Sequence, residues 1–487
     1  MGRTAKPRVA IIGSGFSGIA AAIALRKKGI EDFVIFEQAP ALGGTWFHNR
    51  YPGAEVDLES HIYSFSYERY DWTRTHAGWR ELGAYLDHVA TKWDLPRRIR
   101  FNEKVDDVTW SDTDHTYTIS TDSGTDHGIF TAVISAVGFL NIPLIPPFAR
   151  EQGDFDGAIC HTSRWIDGLD MTGKAIGVVG TGSSAVQVVT EAERVGTEVK
   201  IFQIEPNWLL PKNSHDFTPL QRQLNRLAPV YAWRRLKLYL GYDVRQYGSS
   251  HAKSTGRTNR RKHKAAVEFL NRELGDRRDL LELATPKFPF EGRRTVVSDT
   301  YYASLRNPKV TLVPHAVKGL TKTGAVDANG DEHDLDIIVL ATGFDAANYL
   351  GNYRVHGRGG AELHEQWQGE PEAFLGMMVP KFPNFFIMYG PNTNSIPLVS
   401  FYEAQAAFTA SLIARAASTG ASTIEVRRSA FALYNEWIQD RLSKTVWAQV
   451  NNYFQAGSGR IVSQWPFGAT AYIMATKLLR RIAVRLS

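Results

Sequence analysis

Residues 7–37 read PRVAIIGSGFSGIAAAIALRKKGIEDFVIFE, and this stretch decides the fold. Pro7 to Ile12 is a β-rich apolar run, the pattern of a parallel strand buried on both faces. Gly13-Ser14-Gly15-Phe16-Ser17-Gly18 follows, then a helical run rich in alanine. Phe33 to Phe36 is a second strand, closed by Glu37. Strand, GxGxxG, helix, strand and acid within about thirty residues predict a dinucleotide-binding unit. Gly13 allows the tight turn, Gly15 lets backbone approach a pyrophosphate, and Gly18 lets the helix pack closely on the strand. The start of the helix offers unpaired N–H groups to phosphate, and Glu37 can accept hydrogen bonds from a ribose.

The same unit recurs. Lys174 to Val179 (KAIGVV) is strand-like and leads into Gly180-Thr181-Gly182-Ser183-Ser184-Ala185, a GxGxxA turn. A helical run carrying Gln187 and the strand VKIFQ, ending at Gln203, complete it. Two such units in one chain point to a flavin plus a nicotinamide; a vestigial second copy is the alternative.

Composition sets the bounds. The chain has 487 residues, 43% hydrophobic and 22% charged, so it is globular and not disordered. Lys and Arg (56) exceed Asp and Glu (50) by six, too small an excess for a nucleic-acid footprint. One cysteine, Cys160, excludes a disulfide framework and a cysteine-built metal site, and no metal is expected. Val9 to Leu25 is shorter than the roughly 20 residues of a spanning helix and is broken by glycine. The expectation is a cytoplasmic protein, monomeric or homodimeric.

The predicted class is α/β, with two nested Rossmann-like dinucleotide-binding domains and a helical insertion. Ala132–Gly138 (AVISAVG) and Asp336–Gly343 (DIIVLATG) read as returns to the first unit on either side of the second. The expected domains are 1–141 plus 325–487 for the first unit, 142–212 plus 284–324 for the second, and 213–283 for the insertion. Within the insertion, Tyr231, Arg234, Arg235, Leu238 and Tyr239 show helical spacing. The run from Lys253 to Lys264 reads as a solvated helix face, with an anionic partner as the alternative. The basic amphipathic helix 472–487 reads as surface packing, and membrane contact is not expected.

Gly43 to Asp57, GGTWFHNRYPGAEVD, resembles the flavin-side motif of Baeyer–Villiger monooxygenases, class B flavoproteins that use FAD and NAD(P)H. Phe155 to Trp165, FDGAICHTSRW, matches that family's F-x-G-x-x-x-H-x-x-x-W fingerprint at Phe155, Gly157, His161 and Trp165. Further matches are TPKFPFEGRRTVVSDTYYASL (Thr285–Leu305), ATGF (Ala341–Phe344) and YGPNTN (Tyr389–Asn394), so the resemblance covers nearly the whole chain. It implies oxygen insertion beside a ketone carbonyl through a C4a-peroxyflavin, giving an ester or lactone. The alternatives are N- or S-oxygenation by the same species, or an NAD(P)H oxidase or flavin-binding protein without oxygenation.

By resemblance Arg294 is the fixed positive charge at the flavin and Asp57 its ionic partner. Gly13, Ser14, Gly15, Phe16, Gly18, Glu37, Gly44, Thr45, Trp46, Asp57, Tyr63 and Val105 would meet FAD. Gly180, Thr181, Gly182, Ser183, Ser184, Ala185, Gln187, Ile204, Glu205 and Arg293 would meet NADPH. Trp46 and Tyr63 could equally be core. His161 is read as a link between the two units, with proton transfer as the alternative, and Trp465 resembles a pocket or lid residue. Cys160 is read as a small buried apolar residue. Three departures stand out: Ile166 in place of a proline, Ile204-Glu205 in place of Arg-Thr, and Ser395-Ile396-Pro397 in place of a Gly-His stretch. The second leaves NADH possible beside NADPH. Partners are then a ketone and O2, with no nucleic acid.

Overall fold

The structure, a computed structural model, describes residues 6–150, 153–247 and 253–487. Two five-stranded parallel sheets organise the chain. The first runs Phe385–Ile387, Ala132–Ser135, Val9–Ile12, Phe33–Glu37, Ile99–Phe101. The second runs Val310–Val313, Glu198–Phe202, Ala175–Val179, Ile337–Leu340, Ala158–His161. Val9–Ile12 is buried at every position, as a parallel strand covered on both faces must be.

The pairing corrects one expectation. Ile337–Leu340 lies inside the second sheet, between Ala175–Val179 and Ala158–His161, and does not return to the first. The second unit therefore extends past residue 324. SAVG (Ser135–Gly138) and LATG (Leu340–Gly343) look alike because each ends the strand beside the glycine turn of its own unit. A Cβ on Gly13 would lie 2.7 Å from the Ala136 carbonyl oxygen, and one on Gly180 would lie 2.5 Å from that of Ala341. Both glycines also have positive φ (+101° and +118°), so glycine is required twice over.

Helix Phe16–Lys27 packs between the first sheet and the long helix Leu398–Thr419, on which the C-terminal helix Ala469–Ala483 also packs. Between the paired strands Leu209–Leu210 and Val296–Val297 the described residues form four helices, Pro219–Arg226, Ala228–Tyr247, Arg257–Leu274 and Arg278–Ala284. Among the described residues no helix is long and apolar enough to cross a membrane, and no cluster of His, Cys, Asp or Glu is placed to hold a metal ion.

Candidate functional site

A cavity of about 360 Å³ is lined from both units. Gly13, Ser14, Gly15, Phe16, Glu37, Gly44, Thr45, Trp46, Asp57, Tyr63 and Val105 line it from the first; Ser183, Ser184, Gln187 and Arg294 line it from the second. A larger, shallower cleft of about 760 Å³ along Ile99–Phe101 holds none of these residues, and its Arg98 is already paired with Glu31.

The first unit forms a cradle. Helix Phe16–Lys27 begins at Gly15 with no side-chain cap and no acid in its first turn, so its leading N–H groups are open to an anion. Gly15 and Gly44 meet backbone to backbone: a Cβ on Gly44 would lie 2.9 Å from Gly15 Cα. Glu37, 5% exposed, accepts from the Ser14 N–H (2.9 Å) and hydroxyl (2.6 Å) on Oε2, and from the Ala39 N–H (2.9 Å) on Oε1. Oε1 keeps lone-pair capacity for a ribose hydroxyl. Gly18 faces away from the cavity, since a Cβ there would strike the Gly13 carbonyl oxygen at 1.9 Å. A backbone-lined cradle, an uncapped helix start and a buried acid fit the pyrophosphate and ribose of a dinucleotide. Helix Ser183–Val195 begins the same way at Gly182, again uncapped and without an acid.

At the junction of the units, Arg294 Nη2 donates to Asp57 Oδ2 at 2.5 Å, and the Ser183 hydroxyl donates to the same oxygen at 3.3 Å. Nearly half of the Arg294 side chain (47%) is open to the cavity, against 17% of Asp57. Burial works to lower the Arg294 pKa, but the Asp57 charge and the Tyr453 hydroxyl raise it more, so the guanidinium stays charged at any working pH. Trp46 Nε1 donates to the Tyr63 hydroxyl (3.2 Å), and burial pushes that phenol up to about 12.

The segment carrying Asp57 is strapped to the second unit. The Tyr51 hydroxyl lies 2.7 Å from Gln187 Oε1 and 3.2 Å from Ser184 Oγ, and Gln187 Nε2 donates to the Glu55 carbonyl at 3.1 Å. Lys212, its side chain 3% exposed, reaches Glu55 at 2.6 Å. The serines that open the second nucleotide motif therefore also grip the segment that holds Asp57.

Other expected residues lie elsewhere. Gly180, Thr181, Ile204, Glu205 and Arg293 do not line the cavity. Ile204 is 81% exposed, while Glu205 and Arg293 form an ion pair at 2.6 Å. Gln203 turns inward and donates to the Leu283 carbonyl at 2.8 Å. Ala185 is fully buried beneath the turn. In the fingerprint, Phe155 is core, Gly157 has no room for a Cβ against the Asp336 carbonyl (2.4 Å), and Trp165 packs on the second core. The Ser163 N–H donates to His161 Nδ1 (3.1 Å), so Nε2 carries the proton and donates it to the Gly343 carbonyl (3.0 Å). Burial pushes His161 down to about 4, the Gly343 bond opposing. Its ring meets Phe344, a lining residue, edge-on at 5.6 Å. Burial pushes Cys160 up to about 12, which leaves it an unreactive thiol.

Trp465, read as a pocket or lid residue, is instead core: it is 2% exposed and packs among Trp437, Phe467 and Tyr472. Reading the sequence missed Tyr453 beside Arg294, and Tyr402 in the cavity wall. Neither sits in a motif, and no local pattern marks them.

A family model described as pyridine nucleotide-disulphide oxidoreductase matches residues 10–271. With one cysteine in the chain, the disulphide part of that description has no counterpart here. A Baeyer–Villiger monooxygenase of Pseudomonas aeruginosa is 32% identical over 98% of this chain and 93% of its own length. The FAD-binding monooxygenase ktnD of Aspergillus niger is 34% identical over 95% of this chain and 79% of its own. The solved structure of an oxidized steroid monooxygenase bound to NADP superposes with a TM-score of 0.89 at 28% identity, covering 99% of both chains.

Proposed function

This chain belongs to the Baeyer–Villiger monooxygenase family, and from that premise we propose that it converts a ketone to an ester or lactone, with FAD in the first unit and NADPH in the second. When bound, the reduced flavin supplies the activation of O2 that lets one oxygen atom enter beside a carbonyl, the other leaving as water. The observation that carries the reading is the Arg294–Asp57 pair, open to a cavity that both units line.

The protein's part is to hold charge, orient and exclude water. Arg294 has five N–H donors; Asp57 and Tyr453 occupy part of that set, and the rest are free to meet negative charge on oxygen in the cavity. An arginine suits this because it does not deprotonate. Asp57 fixes the guanidinium in place and is itself fixed by Ser183. Glu37 and the Gly13–Gly15 turn hold the ribose and pyrophosphate of FAD, and the Gly182–Ser184 turn holds those of NADPH. Phe139, Phe344, Leu398 and Tyr402 line the same cavity, which suits an apolar ketone. His161 holds the Gly343–Phe344 segment in place with both ring nitrogens engaged, a contact within the second unit.

Arg294→Ala tests the assignment. FAD should stay bound and NADPH should still reduce it. Ester yield per NADPH should fall at least about a hundredfold, the scale of losing one preorganised charge, with hydrogen peroxide released instead. Normal ester yield from Arg294→Ala would remove Arg294 from the role.

A further inference from the structure

The helices Pro219–Arg226 and Ala228–Tyr247 are amphipathic the wrong way round for an exposed surface. Apart from Lys237, their described charged side chains are engaged by the rest of the protein, Arg226 through Asp71 while much of it stays exposed. Arg235 donates to the His61 carbonyl (2.5 Å) and lies 3.1 Å from the Ser64 hydroxyl, Arg234 lies over the Phe217 ring, and Arg222 and Arg226 bind Asp71. Tyr242 bonds Glu59, and Asp243, 6% exposed, accepts from the Thr470 N–H. The apolar side chains point out. On the longer helix Trp233 (67% exposed), Leu236, Leu240 (49%) and Val244 (65%) follow at steps of three, four and four residues. On the shorter one Leu220 (64%) and Leu224 follow at four, and Leu227 stands three further on at its C-terminal cap.

Steps of three and four put these residues on one side of each helix, the spacing by which one helix seats its side chains between those of another. Seven large, roughly half-exposed side chains present on the order of several hundred Å² of apolar surface. That is at or above what a monomer usually leaves open and approaches the ~800 Å² per partner of a standard interface. Solvent does not account for this face, because water would favour turning the arginines outward.

We propose that this face is the dimer interface, covered by the same two helices of a second copy of the chain about a twofold axis. Two features select that occupant. Among the described side chains the face is uncharged apart from Lys237 at its flank, so a copy meets those without unpaired acids or bases, and a lysine is long enough to keep its ammonium in water. A lipid surface is held by clusters of Lys and Arg around the apolar residues, and here the described arginines of both helices, Arg222, Arg226, Arg234 and Arg235, are each engaged within the protein.

The test is the molar mass of the FAD-loaded full chain at micromolar concentration, by light scattering or sedimentation. Wild type should give twice the 54.4 kDa chain mass. Trp233→Glu and Leu240→Glu should each give the single-chain mass while keeping FAD bound and the circular dichroism of wild type. Met474→Glu, an equally exposed apolar site on the C-terminal helix, should stay dimeric. A monomeric wild type overturns the proposal, as does a dimer that survives both substitutions. A monomer that floats with phosphatidylglycerol vesicles would assign the face to lipid.

Discussion

Ile204 stands where a phosphate-binding arginine would serve NADPH best, and the structure shows what the carboxylate of Glu205 beside it does. Glu205 holds Arg293 at 2.6 Å, so a 2′-phosphate must compete with a carboxylate for that cation. The neighbouring Ile204 offers no donor and is exposed. NADPH should therefore be preferred only weakly, with NADH within about tenfold in kcat/KM, or ~1.4 kcal/mol. Glu205→Gln, which frees Arg293, and Ile204→Arg, which adds a ligand, should each raise the NADPH to NADH ratio about tenfold. A wild type selective by more than about a thousandfold, or two indifferent variants, would show that the 2′ position is read elsewhere. Buried histidines set a second residue-level expectation. Burial pushes His61 down to about 3, and His76 and His161 to about 4. Their folded pKa values lie below the unfolded value near 6.5. Their contribution to stability is thus complete above pH ~6.5 and is lost as pH falls towards the folded values, at about 1.4 kcal/mol per pH unit for each. The urea midpoint should drop between about pH 7 and pH 5, and His161→Gln should flatten the drop. A midpoint independent of pH over that range would contradict the burial argument.

At the scale of elements, the decisive contact is between the 51–57 strap and the start of helix Ser183–Val195. Gly53 has φ +80°, and a Cβ there would lie 2.9 Å from the Gln187 carbonyl oxygen, so the strap lies directly on the helix backbone. Tyr51, Gln187 and the Lys212–Glu55 pair fasten it, and Arg74 stands 3.6 Å from the same carboxylate. Lys212→Met should cost about 2 kcal/mol, because it strips the half-buried Glu55 carboxylate of its nearest partner while Arg74 compensates in part. Lys212→Met/Glu55→Gln should recover a large share. Chemical denaturation of the two variants checks this, and equal losses from both would mean that the pair contributes nothing specific. Much of this scale was legible in sequence: the two glycine turns fix their own geometry through local backbone requirements, so their strands and helices follow from nearby residues. The strand Ile337–Leu340 was not, because SAVG and LATG carry the same local pattern and only long-range pairing separates them. Nor was the inversion of helix Ala228–Tyr247: spacing marks Tyr231, Arg234 and Arg235 as helical, but which face lies inward depends on distant partners such as His61 and Ser64.

At the scale of the whole molecule, two nucleotide units meet along one cavity, and the charge pair between them takes Asp57 from one and Arg294 from the other. The residues of that pair were legible through the family motifs; the Tyr453 hydroxyl that joins them was not, because it belongs to no motif and comes from the C-terminal region by tertiary folding. The cavity's Leu398 follows the Ser395-Ile396-Pro397 departure, which places that stretch beside the cavity wall. The assembled molecule should insert one atom of O2 beside a ketone carbonyl. The FAD-loaded protein, given NADPH and a panel of cyclic and linear ketones under isotopically labelled O2, should form an ester or lactone that carries one labelled oxygen atom, and NADPH consumption should rise with the ketone. NADPH consumption that ignores every ketone and ends only in hydrogen peroxide, or label found only on nitrogen or sulfur of other substrates, would contradict it.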